Sequence, residues 1–506
     1  MSAKTADDAD VIVVGAGMGG LAAAVCLAEA GKRVVIVERA ADVGGKVGTH
    51  THDGVTFDTG PSLLTLPDVL AGVLGRAGLT IAERDDADVV LVRPRPAFRY
   101  RFADPSWPSV DVHTEPERTL ASVADALGAD AGRELGAFLR YAQGIWDASK
   151  DDFVFARAPT AIDLLRLGLT RPVDMLKVDP FSSMRRAIDA RISHPALRLL
   201  LLRYATYNGS DPTTAPATLN CIAHVELTLG GFGVKGGMGQ LARALARAAQ
   251  KLGATIVPHT DVTGLVRDGD RVTGARVKNH DGSERVLRAG AVVVNADVAD
   301  LRARLMPGVA RALPTPGTPS LSGATMVLRA RRRTDRVAHE VLFSADYHDE
   351  CADLFRRRRG PQEPTVYVCA QEPAHGVTGW AEHEPLFVMA NLPAIGGAAG
   401  TSVTDDGHEV LDRARGRLLE RGLIDDDDEV VWRRTSADLA RQFPGSHGSL
   451  YGAASNDRAS AFRRPPNAVD GVPGLFLASG SAHPGGGVPL CVQSGVLAAD
   501  AVLAAR

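Results

Sequence analysis

Three glycines, Gly15, Gly17 and Gly20, stand in the spacing G-x-G-x-x-G, and an acid, Glu38, follows about 20 residues on. That set of residue types suits a dinucleotide. Gly15 permits a tight turn, Gly17 lets backbone approach a pyrophosphate, and Gly20 lets a helix pack closely on a strand. A carboxylate at Glu38 accepts the hydroxyls of an adenosine ribose. A second glycine-rich stretch lies at the far end of the chain, from Ser479-Gly480-Ser481 through His483-Pro484-Gly485-Gly486-Gly487-Val488-Pro489. It again sets backbone N–H groups ahead of a helix. Two such junctions suit a long cofactor, one for its pyrophosphate and one for its reactive ring. No nucleophile elbow, metal-ligand cluster or paired-carboxylate signature accompanies them, so no metal is expected and the bound group would carry the hard chemistry.

These residues need elements to position them. Val11 to Val14 is an apolar, mostly β-branched run that reads as a buried parallel strand. An Ala/Leu-rich helix is expected from Gly20 to Ala30, ended by Gly31, and a second strand from Val34 to Val37. A lone G-x-G-x-x-G arises easily by chance; strand, helix, second strand and terminal acid together do not. The late loop is framed the same way, by a strand in Gly474 to Gly480 and a helix from Cys491 to Leu503. Between these ends, strands are expected at Thr255 to Pro258, Val262 to Val266, Arg271 to Val277 and Ala291 to Val294, then at Ala324 to Leu328, Val366 to Cys369 and Leu386 to Met389. Helices are expected at Ser122 to Ala148, Ala217 to Thr228 and Gln240 to Leu252, with a strand-containing insert around Val89 to Val112.

The length of 506 residues exceeds one compact core, so several domains are expected. A net charge of -3 gives no ground for nucleic-acid binding. The five cysteines, Cys26, Cys221, Cys351, Cys369 and Cys491, are scattered without C-x-x-C spacing, which fits a reducing cytosol. The opening MSAKTADDAD lacks the apolar core of a signal peptide, and no apolar run reaches the roughly 18 residues that span a bilayer. Between Phe155 and Leu202, leucines at 164, 165, 167 and 169 precede Pro172, and Met175 and Leu176 follow it. Arg157 to Arg203 holds nine basic residues against four acidic ones. Such a segment reads either as a solvated helical cap or as a face that rests on an anionic bilayer.

Three blocks resemble the carotenoid (phytoene-type) desaturase family of amine-oxidase-like flavoproteins. The first runs from Val11 to Glu38 through Gly44-Gly45-Lys46 to Asp58-Thr59-Gly60-Pro61. The second is Lys235-Gly236-Gly237-Met238, and the third is His483 to Pro489. Lys46, Asp58-Thr59-Gly60-Pro61 and Tyr204-Ala-Thr-Tyr207 resemble the 3,4-desaturases of the methoxyneurosporene dehydrogenase type. The resemblance implies an α/β chain. Its Rossmann-like FAD-binding domain is discontinuous (1–90, 231–305, 441–506), with an inserted helical cap (91–230) and a mixed-sheet substrate domain (306–440). It implies FAD held by Gly15, Gly17, Met18, Gly20, Glu38, Arg39, Gly45 and Lys46. Gly60, Pro61 and Ser62 lie along the flavin, Val262 meets the adenine, and Gly480, Ser481, Gly487 and Val488 approach the ribityl chain and ring.

The implied reaction removes two hydrogens from a C–C bond of an acyclic polyene, as hydride to the flavin and a proton from the neighbouring carbon. His483 is the candidate base, with a loop-holding role as its rival and favoured reading, and Tyr207 and Asn208 are candidate tunnel residues. The substrate implies peripheral contact with the inner face of the cell membrane. Two alternatives stay open: oxidation of an amine or other small molecule, and non-redox isomerisation or hydration of a polyene.

Overall fold

The four apolar residues Val11–Val14 are all buried and form the middle strand of a five-stranded parallel sheet. The order is Thr255–Val257, Val34–Val37, Val11–Val14, Ala291–Val294 and Leu475–Leu477. A strand buried on both faces needs no polar alternation, which is why these runs read as continuously apolar. The computed structural model describes residues 9–179, 181–396, 406–457 and 460–505.

The crossover after the first strand is the helix Met18–Glu29, which begins two residues earlier than the expected Gly20. It is buried nearly all round, between the helices Gly239–Lys251 and Val488–Ala504. Chain segments far apart in sequence thus share one core around one sheet. The two strands expected at Thr255 to Pro258 and Val262 to Val266 lie in different sheets. Thr255–Val257 joins the parallel sheet, whereas Thr260–Asp268 pairs with Arg271–Asn279 and Glu284–Arg288 in a separate antiparallel sheet.

A seven-stranded sheet carries the second half of the molecule, in the order Glu429–Arg434, Ser322–Arg331, His383–Leu392, Val366–Ala370, His339–Leu342, Phe98–Arg101 and Val110–Val112. The last two strands come from the Val89 to Val112 insert, so residues 91–230 supply an edge of this sheet as well as helices. Those helices include Ala129–Phe153, Ala161–Thr170, Pro172–Lys177, Met184–Asp189 and Pro195–Leu202. The expected helix from Ala217 to Thr228 is a 3-10 turn, Ala217–Asn220, that continues as the α-helix Cys221–Leu227. No helix among the described residues is long and apolar enough to cross a membrane.

Candidate active site: two cavities that meet

Parallel strands open toward their C-terminal ends, where the connections to helices leave a crevice. Here that crevice is a cavity of about 320 Å³. Gly15, Gly17, Met18, Glu38, Arg39, Gly45, Lys46, Gly60, Pro61, Val262, Gly480, Ser481, Gly487 and Val488 all line it. Residues from both ends of the sequence therefore face one space. Gly20 does not reach the cavity. It lies beneath the loop, where a Cβ would fall 2.2 Å from the Gly15 carbonyl oxygen, so its role is close packing. Ser62 lies on the neighbouring cavity instead.

The helix Met18–Glu29 starts without a side-chain cap, which leaves its first N–H groups free to face the cavity. Gly17 and Gly44 form a parallel bridge that brings the Gly44-Gly45 turn against the first glycine loop. Glu38 is held by two backbone donors: Ala16 N–H at 2.7 Å to Oε2 and Ala40 N–H at 2.8 Å to Oε1. The Val262 carbonyl accepts from Arg304 at 2.6 Å, and Arg304 forks onto Asp300.

The cations matter most. Lys46 donates to the carbonyls of Ser449 at 2.8 Å and Leu450 at 3.2 Å, and burial lowers its pKa. Arg434 is buried, donates to the Thr59 carbonyl, and leaves its Nε without a partner. Burial pushes its guanidinium down to about 10. Neither cation has a carboxylate within ion-pair distance among the described residues. A buried and a half-buried cation beside free helix N–H groups fit a diphosphate, which would supply the missing negative charge. A carboxylate on the strand beyond fits the adenosine ribose. The residues present therefore fit FAD.

Asp58 ties two of the sequence blocks together. It accepts from the Gly239 N–H at 3.1 Å and the Met238 N–H at 2.5 Å, at the start of the helix Gly239–Lys251. Gly237 sits at φ +96° with its Cβ position 2.9 Å from the Asp58 carboxylate, which accounts for the glycine pair in Lys235-Gly-Gly-Met. Burial raises the Asp58 carboxyl to about 6. Gln371 clasps the Asp58 backbone through both ends of its amide, at 2.8 and 2.9 Å.

A second cavity of about 550 Å³ adjoins the first. Gly60, Pro61, Phe387, Met389, Tyr451, Gly487 and Val488 line both, so the two cavities share one wall. The second cavity runs past Trp146, Phe153, Leu219 and Ile222 to Met175 and Val178. Tyr207 and Asn208 line it as well. His483 faces it, yet its Nε2 lies 2.9 Å from the Ala156 carbonyl, and Gln493 donates to the Phe155 carbonyl at 3.3 Å. The imidazole thus straps the cap to the glycine loop, and burial lowers its pKa.

Sequence reasoning missed Arg434, Asn295 and Gln371. Asn295 donates to the Ala478 carbonyl and joins the first and last strand ends. Its signal was a polar residue directly after the buried Val292 to Val294 run; Arg434 had no local signal at all.

The chain matches the sequence model of the flavin containing amine oxidoreductase family over residues 18–373. It is 34% identical to a hydroxyneurosporene desaturase of Rubrivivax gelatinosus, covering 98% of this chain and 93% of that one. It is 30% identical to a 4,4'-diapolycopene oxygenase of a Methylomonas species, covering 98% and 99%. Among solved structures, putrescine oxidase bound to putrescine superposes with a TM-score of 0.57 at 15% identity, covering 98% of this chain and 99% of that one. Cyclohexylamine oxidase from Brevibacterium oxydans gives 0.56 at 16% identity, covering 98% of each.

Proposed function

The chain belongs to the flavin containing amine oxidoreductase family, and from that premise we propose that it is an FAD-dependent desaturase of an acyclic carotenoid or related polyene. The observation that carries this reading is the long, mostly apolar cavity that meets the cofactor cavity along one shared wall. The relatives named for carotenoids align over nearly the whole chain, which supports it further. FAD supplies the two-electron oxidation of the C–C bond when bound. The protein's own residues do the rest. Lys46, Arg434 and the glycine turns hold the diphosphate, Glu38 orients the ribose, and the apolar walls exclude water and lay the polyene along the shared wall. The proton leaves from a carbon next to an extended conjugated system, so a weak acceptor suffices.

The same reading includes peripheral docking on a membrane. Ile162, Leu165, Leu169, Val173, Leu176 and Phe181 are 76, 67, 76, 64, 72 and 71% exposed on the cap. Five of them lie on the helices Ala161–Thr170 and Pro172–Lys177, whose Met175 lines the apolar cavity. The basic excess contributes less than the sequence suggested. Arg171 pairs with Asp152 and Asp174, Arg157 with Asp163, and Arg185 with Asp189. The apolar side chains carry the docking reading.

Anaerobic mixing of the FAD-loaded protein with acyclic carotenoids tests the function. Flavin bleaching with a red-shifted polyene spectrum is expected. Product without net flavin reduction would favour isomerisation or hydration, and bleaching by an amine alone would favour an amine oxidase.

A further inference from the structure

The strands Val366–Ala370 and His383–Leu392 pair in antiparallel register, with Tyr367 opposite Met389 and Cys369 opposite Phe387. Opposed residues present their side chains on one face of a sheet. Met389 and Phe387 line both cavities, and Tyr367 lines the second. The phenol therefore faces the substrate space beside two side chains of the shared wall. Its oxygen lies 2.8 Å from Nδ1 of His339, on the neighbouring strand His339–Leu342. His339 is fully buried and stands outside the cavity lining. The two rings are nearly parallel, 14° apart, and Phe98 stacks on the imidazole with centroids 4.7 Å apart. The Nε2 of His339 has no hydrogen-bond partner among the described residues.

A histidine in this place is costly as packing alone, because a ring nitrogen stripped of water without a new partner destabilises the fold. We assign the phenol as donor to Nδ1, which puts the ring proton on Nε2. Other polar groups on the cavity lack such an outlet. The Tyr207 hydroxyl accepts from the Arg203 guanidinium at 3.1 Å, and the Tyr347 hydroxyl has no partner among the described residues. His483 is engaged by the Ala156 carbonyl, and both oxygens of Asp457 accept from Arg463, at 2.9 and 3.0 Å. Of these hydroxyls, only that of Tyr367 touches a ring that can take its proton.

We propose that Tyr367 accepts the proton released as the new C=C bond forms and passes its own proton to His339. This rests on the desaturase reading and names the proton acceptor of that reaction. One carbon gives a hydride, with its two electrons, to the flavin. The C–H bond of the neighbouring carbon breaks, and its electron pair becomes the second bond of the C=C. That proton goes to the Tyr367 oxygen while the phenolic proton goes to His339 Nδ1. The reverse shift resets the pair once product leaves, and water reaching the phenol takes the proton. Burial, with His375 and Arg203 nearby, holds the His339 pKa well below its ordinary value. An acceptor of that kind hands the proton back rather than keeping it.

The test is anaerobic single turnover of the FAD-loaded protein with hydroxyneurosporene, following the red-shifted polyene. Tyr367→Phe keeps the ring and is expected to slow product formation about 100-fold, at the low end for general-base catalysis because the departing proton is acidic. Polyene binding should stay within about threefold of native, since the lost contact acts only in the chemical step. His339→Gln keeps an acceptor for the phenol but no base, and is expected to slow the step to a similar degree. The double variant should be no slower than Tyr367→Phe, because the two side chains act as one unit. Native rates in His339→Gln would make the histidine a positioning partner and overturn the relay. So would a native rate in Tyr367→Phe, or losses that multiply in the double variant. Where one single variant does not load FAD, the other decides alone. Each of these failures leaves the desaturase reading standing; a native chain that gives neither flavin bleaching nor product overturns that reading itself.

Discussion

Arg434→Met separates what the cofactor cavity does for FAD from what it does for the fold. The guanidinium is buried in the cavity wall, and burial moves it from its ordinary value down to about 10. That downward shift corresponds to roughly 3 kcal/mol against the charged form. The sign follows from linkage. The folded pKa lies below the unfolded one, so the charged form is disfavoured on folding, and that cost is present at every pH below about 10. Methionine removes this cost but also the hydrogen bonds to Thr59 and Gln442, each worth about 1 kcal/mol. The apoprotein of the variant should therefore be as stable as the native apoprotein, or more stable by about 1 kcal/mol. FAD binding should suffer in the opposite direction. Loss of one buried cationic partner of a diphosphate costs about 1.5 to 3 kcal/mol, or about 10- to 100-fold in Kd. Flavin fluorescence titration of the apoprotein measures the second quantity and chemical denaturation of the apoprotein the first. A variant that binds FAD with native affinity but has lost 2 kcal/mol or more of stability (a threshold set by roughly two hydrogen bonds) would refute the assignment and make Arg434 a structural residue.

Three further outcomes follow from the same geometry. Leu165→Glu with Leu169→Glu should weaken co-sedimentation with anionic vesicles by about tenfold or more while leaving the thermal midpoint in place, because both side chains are largely exposed; unchanged sedimentation would remove these helices as the docking face. His483→Gln retains an N–H for the Ala156 carbonyl and should leave kcat within about threefold and the pH profile unmoved; a fall of about 100-fold with a lost pH limb would make His483 the base after all. Asp58 has a folded pKa of about 6, above the ordinary 3.8, so the stability it contributes is present below pH 4 and is lost as pH rises through 6. The stability of the native chain minus that of Asp58→Asn should fall by roughly 3 kcal/mol between pH 4 and pH 7, and a flat difference across denaturation curves in that range would contradict it.

The cofactor elements were legible because their chemistry is local. A glycine turn needs its residues at fixed offsets, and a doubly buried strand must be apolar along its length, so Val11–Val14, Gly15, Gly17 and Glu38 announce themselves in one stretch of chain. Asp58 and Gly237 were readable as motif letters. Their meaning, a carboxylate capping a distant helix against a glycine that must lack a Cβ, appears only when the two are brought together. Gly20 keeps the close-packing role its motif position gives it, with a Cβ there falling against the Gly15 carbonyl, and Ser62 lies on the second cavity beside Gly60 and Pro61.

The convergence of Arg203, Tyr347 and Tyr367 on the second cavity was not legible at all. Arg203, Tyr347 and Tyr367 are separated by well over a hundred residues at the widest and carry no shared pattern. Their convergence depends on the seven-stranded sheet pairing Tyr367 against Met389 and on the cap helices folding Arg203 over that sheet. The sequence by itself determined the cofactor class, since backbone turns and buried strands are written in neighbouring residues. Only the tertiary structure decided how the two cavities meet and which side chains line them, because a cavity is lined by whichever side chains the packing of distant elements leaves facing it.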